Sequence, residues 1–190
     1  MHKGRLEAFS DGVIAILITI MVLELKVPEG ADWEALGPVV PVLLIYVLSF
    51  VFLGIYWNNH HHMFQATEHV NGAILWANLH LLFWLSIVPF VTKWVGEYYG
   101  ASLPTAVYGC VLVCAAIAYT ILQALIVRLQ PQSKLAEAVA RDVKGKMSIV
   151  LYLVAIALAF ARPWMSDALY VAVALIWLVP DRRIESKLSR

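Results

Sequence analysis

Three groups of polar side chains interrupt an otherwise apolar chain, and each has residue types that could do chemistry. The first is Arg5-Leu6-Glu7-Ala8-Phe9-Ser10-Asp11, which runs straight into Gly12-Val13-Ile14-Ala15-Ile16-Leu17-Ile18-Thr19-Ile20. An ionisable group at a membrane span costs about 2.5–3.5 kcal/mol on insertion scales, so it marks an ion or proton path or a partner that neutralises it. If buried, Ser10 and Asp11 need hydrogen-bond partners. Candidates are Arg5 and the polar face of a later stretch, where Asn71 and Asn78 recur seven residues apart and His80 follows. Such bonds hold helix against helix and contribute about 0.6–2 kcal/mol each. The second group is His60-His61-His62, preceded by Asn58-Asn59 and followed by His69. Three consecutive histidines project in different directions from a helix, so they do not form a metal site with the i, i+4 geometry a histidine pair needs. They read instead as a polar cap at headgroup level, with a pH-sensing role open to them because imidazole titrates near neutrality. The third is Cys110 and Cys114, four apart on one helical face, where packing is the ordinary role and a disulfide would distort the helix.

No phosphate-binding loop, G-x-S-x-G elbow or H-E-x-x-H pair is present, so no catalytic residue, metal or cofactor is expected. Tyr98-Tyr99-Gly100 and Tyr108-Gly109 are fragments of a potassium filter, but no Thr-Val-Gly-Tyr-Gly run occurs.

The elements that must position these groups are membrane helices. Of 190 residues, 62% are hydrophobic and 14% charged, with mean hydropathy +0.77, which is wrong for a soluble domain. A bilayer core of about 30 Å asks for about 20 apolar residues per helix. The expected fold is all-α and polytopic, one domain over 1–190 with spans near 6–25, 39–57, 73–95, 105–129, 147–161 and 165–179. The last two are short. The first is followed by Lys26-Val27-Pro28 without a small-residue cleavage site and is read as retained. Eleven Lys and Arg fall on the side of both termini, including Lys3, Arg5, Arg141, Lys144 and Arg182, against Lys26, Lys93 and Arg162 on the other. Both termini are therefore expected in the cytoplasm. Trp57, Trp94, Tyr98, Tyr99, Trp164 and Trp177 fall near span ends as interfacial anchors. The 130–146 connection is basic, and Leu135, Val139 and Val143 recur with the spacing of a surface helix. There is no internal repeat and no basic, aromatic-interleaved patch for nucleic acid.

On a wheel of about 100° per residue, Ile16, Ile20 and Leu23 fall within about 60°, with Thr19 beside them and Asp11 about 140° from Ile16. The stripe fits lipid-facing or packing surface, and it also fits a hydrophobic lining that gates by dewetting.

Arg5-x-x-x-Phe9-Ser10-Asp11 at the start of a first span, continuing into Gly12-Val13-Ile14-Ala15-Ile16 and closing with Leu23-Glu24-Leu25-Lys26-Val27-Pro28, resembles the prokaryotic relatives of the lysosomal potassium channel. The layout agrees along the whole chain, with Trp57 and the histidines ending the second span and Asn78 and Pro89-Phe90 in the third. The resemblance implies a potassium-permeable cation channel of the plasma membrane, built from four six-helix subunits around an axis lined by the first helix, without a re-entrant pore loop. By position, Ile16, Ile20 and Leu23 would be successive constricting rings and Thr19 a hydroxyl ring that carries what selectivity there is. Arg5, Phe9, Ser10 and Asp11 would brace the pore helix, with Asn78 and His80 as polar partners. Potassium ions and the lipid bilayer are the implied partners.

Two other readings use the same residues. A proton-coupled secondary transporter would relay through Asp11 or Glu24 with His80. Thirteen residues at 1.5 Å per residue separate Asp11 from Glu24 by about 20 Å, too far for a compact site. A scaffold or accessory membrane subunit would carry no flux at all.

Overall fold

The computed structural model describes residues 3–131 and 143–178. The described residues form six α-helices and one short 3-10 helix, with no strand among them: α1 Lys3–Leu23, the 3-10 helix Glu34–Val39, α2 Val40–Gln65, α3 Gly72–Glu97, α4 Ser102–Leu129, α5 Val143–Ala159 and α6 Pro163–Leu178. α1 to α4 are each long and apolar enough to cross a bilayer, α2 together with its leading 3-10 turn. α5 and α6 have 17 and 16 residues, about 25 Å of helix, and pack on each other and on α4. The 132–142 segment and the cationic tail, including Arg141 and Arg182, lie outside the described residues, so the surface-helix reading built on Leu135 and Val139 does too.

Local chemistry sets most of the helix ends. Pro41 sits in the first turn of α2, where its missing N–H removes no helical bond. Asn71 caps α3, its side-chain oxygen accepting from the Ile74 N–H at 3.0 Å. Gly100 adopts φ +80° in the tight α3–α4 turn, a backbone position open to glycine. Pro163 opens α6 immediately after Arg162, whose N–H closes the end of α5 on the Leu158 carbonyl at 2.7 Å.

α2 runs two turns beyond the expected end at residue 57. Hydropathy falls over 58–65, but the helix continues because Asn59, His60, His61 and Gln65 find hydrogen-bond partners in helical conformation. Asn59 donates to the Ile55 carbonyl at 2.8 Å, Gln65 donates to His61 Nε2 at 2.9 Å, and His60 turns into the protein interior.

α3 and α4 form the centre of the subunit. Half of the α3 span is buried, against 28% for α1, so α1 is peripheral and rests on α2 and α3 by one face. Buried hydroxyls tie the centre together. Ser49 on α2 is hydrogen-bonded to the Tyr108 hydroxyl on α4 at 2.9 Å and to Thr92 on α3 at 2.7 Å. In a low-dielectric interior such bonds fix helix register. On the far side, Tyr170 of α6 donates to the Thr105 carbonyl of α4 at 3.0 Å and lies directly over Gly109.

A Cβ at Gly109 would collide with the Tyr170 hydroxyl and come to 2.7 Å from Ile156 Cγ1, so both α5 and α6 would have to move. Gly109→Ala is expected to destabilise by about 1–3 kcal/mol, the cost of overpacking. Heating in detergent should show a fall of roughly 2–10 °C in the unfolding midpoint. Adding Tyr170→Phe removes the colliding oxygen and should recover part of the loss; an unchanged midpoint for Gly109→Ala would mean that α5 and α6 do not pack against α4 this closely.

Candidate functional site

α1 has two faces. Leu6, Ser10, Ile14, Leu17 and Met21, spaced four, four, three and four residues apart, are buried against α2 and α3. The opposite face is uncovered: Ile16, Ile20 and Leu23 are 57%, 41% and 81% exposed. Thr19 is exposed beside them, and its hydroxyl donates to the Ile16 carbonyl at 2.9 Å, with the Ala15 carbonyl at 3.2 Å. With its proton spent on the helix backbone, the Thr19 oxygen presents lone pairs outward, where they can accept from water or meet a cation.

The buried face is locked by a polar chain across three helices. Asn78 of α3 donates from Nδ2 to Ser10 Oγ at 2.9 Å, and Ser10 in turn donates to the Leu6 carbonyl at 2.9 Å. Asn78 Oδ1 lies 2.7 Å from His60 Nε2 of α2. An amide oxygen only accepts, so His60 carries its proton on Nε2 and donates. All three side chains are buried, and the His60 ring packs on Phe64 with centroids 4.6 Å apart. Asp11, next along α1, accepts from Trp57 Nε1 of α2 at 3.0 Å. Lys3 at the start of α1 donates to the Thr67 carbonyl beyond α2 at 3.0 Å. α1 is thus pinned at its N-terminal half by side chains from α2 and α3.

Of the polar group at the start of α1, Ser10 and Asp11 make these contacts, while Arg5 and Phe9 lie exposed on the same side as Ile16. Asn78 joins the chain, but His80 does not. Two residues along a helix is a turn of about 200°, so His80 faces away from Asn78, is exposed, and accepts from Trp84 Nε1 at 3.0 Å. Glu24 is ion-paired with Lys93 at 2.6 Å. Asp11, Glu24 and His80 are therefore engaged by three different partners and form no common relay. Among the described residues no cluster of His, Cys, Asp and Glu has metal-binding geometry, and Cys110 and Cys114 are free thiols on α4.

Across its full length the chain is 57% identical to a potassium channel of Chryseobacterium sp. (strain P1-3), covering 99% of that protein. The match of the family model of the endosomal/lysosomal potassium channel TMEM175 spans residues 5–89, from the α1 signature through Asn78. The chain belongs to the TMEM175 family. A second relative, a potassium channel of Streptomyces collinus, is 34% identical over 93% of this chain and 91% of its own length. The crystal structure of a lysosomal potassium-selective channel TMEM175 homologue from Chamaesiphon minutus matches with a TM-score of 0.80 at 32% identity, covering 93% of this chain and 96% of that one. An endosomal/lysosomal proton channel TMEM175 of Danio rerio is 27% identical over 129 residues, 65% of this chain but 24% of that protein. The TMEM175 family is one of ion channels, and this member is an all-helical, multi-pass membrane protein.

Two participants in this TMEM175 site, His60 and Trp57, had been assigned by sequence to the headgroup region. The signal for His60 is in the buried stripe of α2, where Ser49, Leu53, His60 and Phe64 recur at four, seven and four residues. Extending that stripe by one heptad from Leu53 lands on His60.

Proposed function

We propose that the chain is a potassium-permeable cation channel of the plasma membrane, conducting passively through a path formed by α1 of four subunits, with both termini in the cytoplasm. The observation that carries this reading is the two-faced α1: one face is pinned by five buried residues and the Ser10–Asn78–His60 chain, and the other leaves Ile16, Thr19, Ile20 and Leu23 uncovered. A helix held this firmly on one side can present a fixed lining on the other. The full-length relatives are named potassium channels, which favours potassium as the permeant ion.

Rings of Ile and Leu do not replace a hydration shell, so ions cross such a neck hydrated, in part or in full, when it widens. Selectivity in this arrangement is modest and rests on Thr19. If its oxygen contributes about 0.5 kcal/mol, the low end for a hydroxyl contact, Thr19→Ala should lower the potassium to sodium permeability ratio by roughly two-fold. Reversal potentials under bi-ionic potassium and sodium gradients in planar bilayers measure this directly, and an unaltered ratio would remove Thr19 from the selectivity mechanism. The same bilayers test the whole reading. Unitary current steps carried by potassium support the channel; currents that follow an imposed pH gradient at symmetrical potassium would make the permeant ion a proton, and saturating flux coupled to that gradient would make the protein a transporter.

A further inference from the structure

The residues that follow α1 are tied to the last turns of α3 by two ion pairs. Glu24 follows Leu23 directly, its N–H closing the helix on the Met21 carbonyl at 3.3 Å. Its carboxylate reaches Lys93 Nζ at 2.6 Å, and Lys26 Nζ reaches Glu97 at 3.2 Å. The first pair is the shorter and the less exposed, with both side chains about 40% accessible, whereas the Lys26 side chain is 81% accessible. Together with Glu29 these residues line an open cleft of about 740 Å³ bounded by the α1 end, the 3-10 helix, the start of α2 and the end of α3. That cleft therefore holds three carboxylates against two ammonium groups.

We propose that Glu24 sets the local cation concentration at the outer mouth of the ion path and that Lys93 sets how much of that charge a passing ion feels. This rests on the reading in which α1 lines the path. Consecutive residues are 3.8 Å apart at Cα, so Glu24 stands at the level of the Leu23 side chains and within about a Debye length of them at physiological salt. A half-exposed charge at such a mouth acts through the field it adds to the entrance, raising or lowering the number of counter-ions waiting there. Paired with Lys93, each Glu24 is largely compensated. Unpaired, four copies would ring the entrance with negative charge. The role is specific to sign: removing the ammonium and removing the carboxylate must act in opposite directions. A purely mechanical clamp of α1 would make them act in the same direction.

The experiment is single-channel recording of Lys93→Met and Glu24→Gln in planar bilayers. At about 50 mM KCl, Lys93→Met should raise unitary potassium conductance about two-fold and Glu24→Gln should lower it about two-fold, and at about 1 M KCl, where the Debye length is about 3 Å, both differences should vanish. Glu24→Cys gives the same test without touching Lys93. Modification by a sulfonate-bearing thiosulfonate should restore conductance and a trimethylammonium-bearing one should depress it further, with the unsubstituted protein treated alike to account for Cys110 and Cys114. Equal conductances at low salt, shifts of the same sign, or shifts that persist at about 1 M KCl would each overturn the proposal. Ile20→Cys separates this from a failure of the pore reading. If the same reagents block Ile20→Cys while Glu24 and Lys93 variants conduct normally, the path is right and the mouth proposal is wrong; if Ile20→Cys is never blocked, α1 does not line the path.

Discussion

Asn78→Leu is expected to lower the thermal midpoint of the detergent-solubilised protein by roughly 4–8 °C, the shift that about 2 kcal/mol produces in a chain of this size. The side chains have the same branching, so little packing is lost and the effect is polar. Asn78 accepts from His60 Nε2 at 2.7 Å and donates to Ser10 Oγ at 2.9 Å. With leucine in place, Ser10 still donates to the Leu6 carbonyl, so its proton stays paired. His60 is 1% exposed and its Nε2–H would be left without an acceptor, a penalty of about 1–3 kcal/mol. Removing one membrane hydrogen bond while both ends find substitutes costs nearer 0.6 kcal/mol. The burial of His60 decides for the larger figure. Ser10→Ala leaves the His60 bond in place but takes the acceptor from the Asn78 amide, which is itself fully buried, so the same penalty of about 1–3 kcal/mol applies to it. Thermal scans by fluorescence-detected size exclusion read both variants, and an unchanged midpoint for Asn78→Leu would mean that His60 does not depend on Asn78.

The helices that cross the bilayer were legible because a run of about 20 apolar residues has few other uses, and α1, α3 and α4 fall close to the runs near 6–25, 73–95 and 105–129. The end of α2 was not legible from hydropathy, because His60 and Asn59 are polar by type yet satisfied by partners inside the fold. Composition reports what a side chain is, and the partner that makes it tolerable sits on another helix. Trp57 illustrates the same limit: an indole at a span end is an interfacial anchor by default, and only the α1–α2 contact reveals that its N–H is donated to Asp11. The three histidines show the converse. Their divergence on the helix, which argues against a metal site, is what lets neighbours in sequence do different things: His60 turns inward to Asn78, while His61 stacks beside Trp57 with ring centroids 6.0 Å apart. The apolar stripe of α1 was visible on a helical wheel, but which of its faces is covered depends on α2 and α3. The pairing of Glu24 with Lys93 likewise needs the α1 end to reach α3, although charge counting had already put Lys26 and Lys93 at one end.

Ile20→Ala is expected to raise passive potassium flux into proteoliposomes by roughly ten-fold, a change that needs only about 1.4 kcal/mol off the barrier. In the proposed four-subunit path, each substitution would withdraw three carbons from the neck, so a ring of four would give up twelve and admit water that branched side chains exclude. A hydrophobic gate closes by dewetting, and widening or wetting it lowers the cost of carrying a hydrated ion through. Ile20 stands one turn below Leu23 and one turn above Ile16 on the uncovered face, so the three rings act in series and the narrowest sets the resistance. Ile16→Ala and Leu23→Ala should therefore raise flux by different amounts, with the largest rise at the narrowest ring, and the double change Ile20→Ala with Leu23→Ala should exceed either alone. Replacement by asparagine, which is close in size to leucine but polar, distinguishes wetting from widening: Ile20→Asn should increase flux as well. The thermal midpoint should hold for all of these variants, since none of the three side chains belongs to the buried stripe of α1. Dye-quench flux assays on reconstituted protein read the whole series. Flux at the unsubstituted level in Ile16→Ala, Ile20→Ala and Leu23→Ala alike would place the conduction path on some other helix.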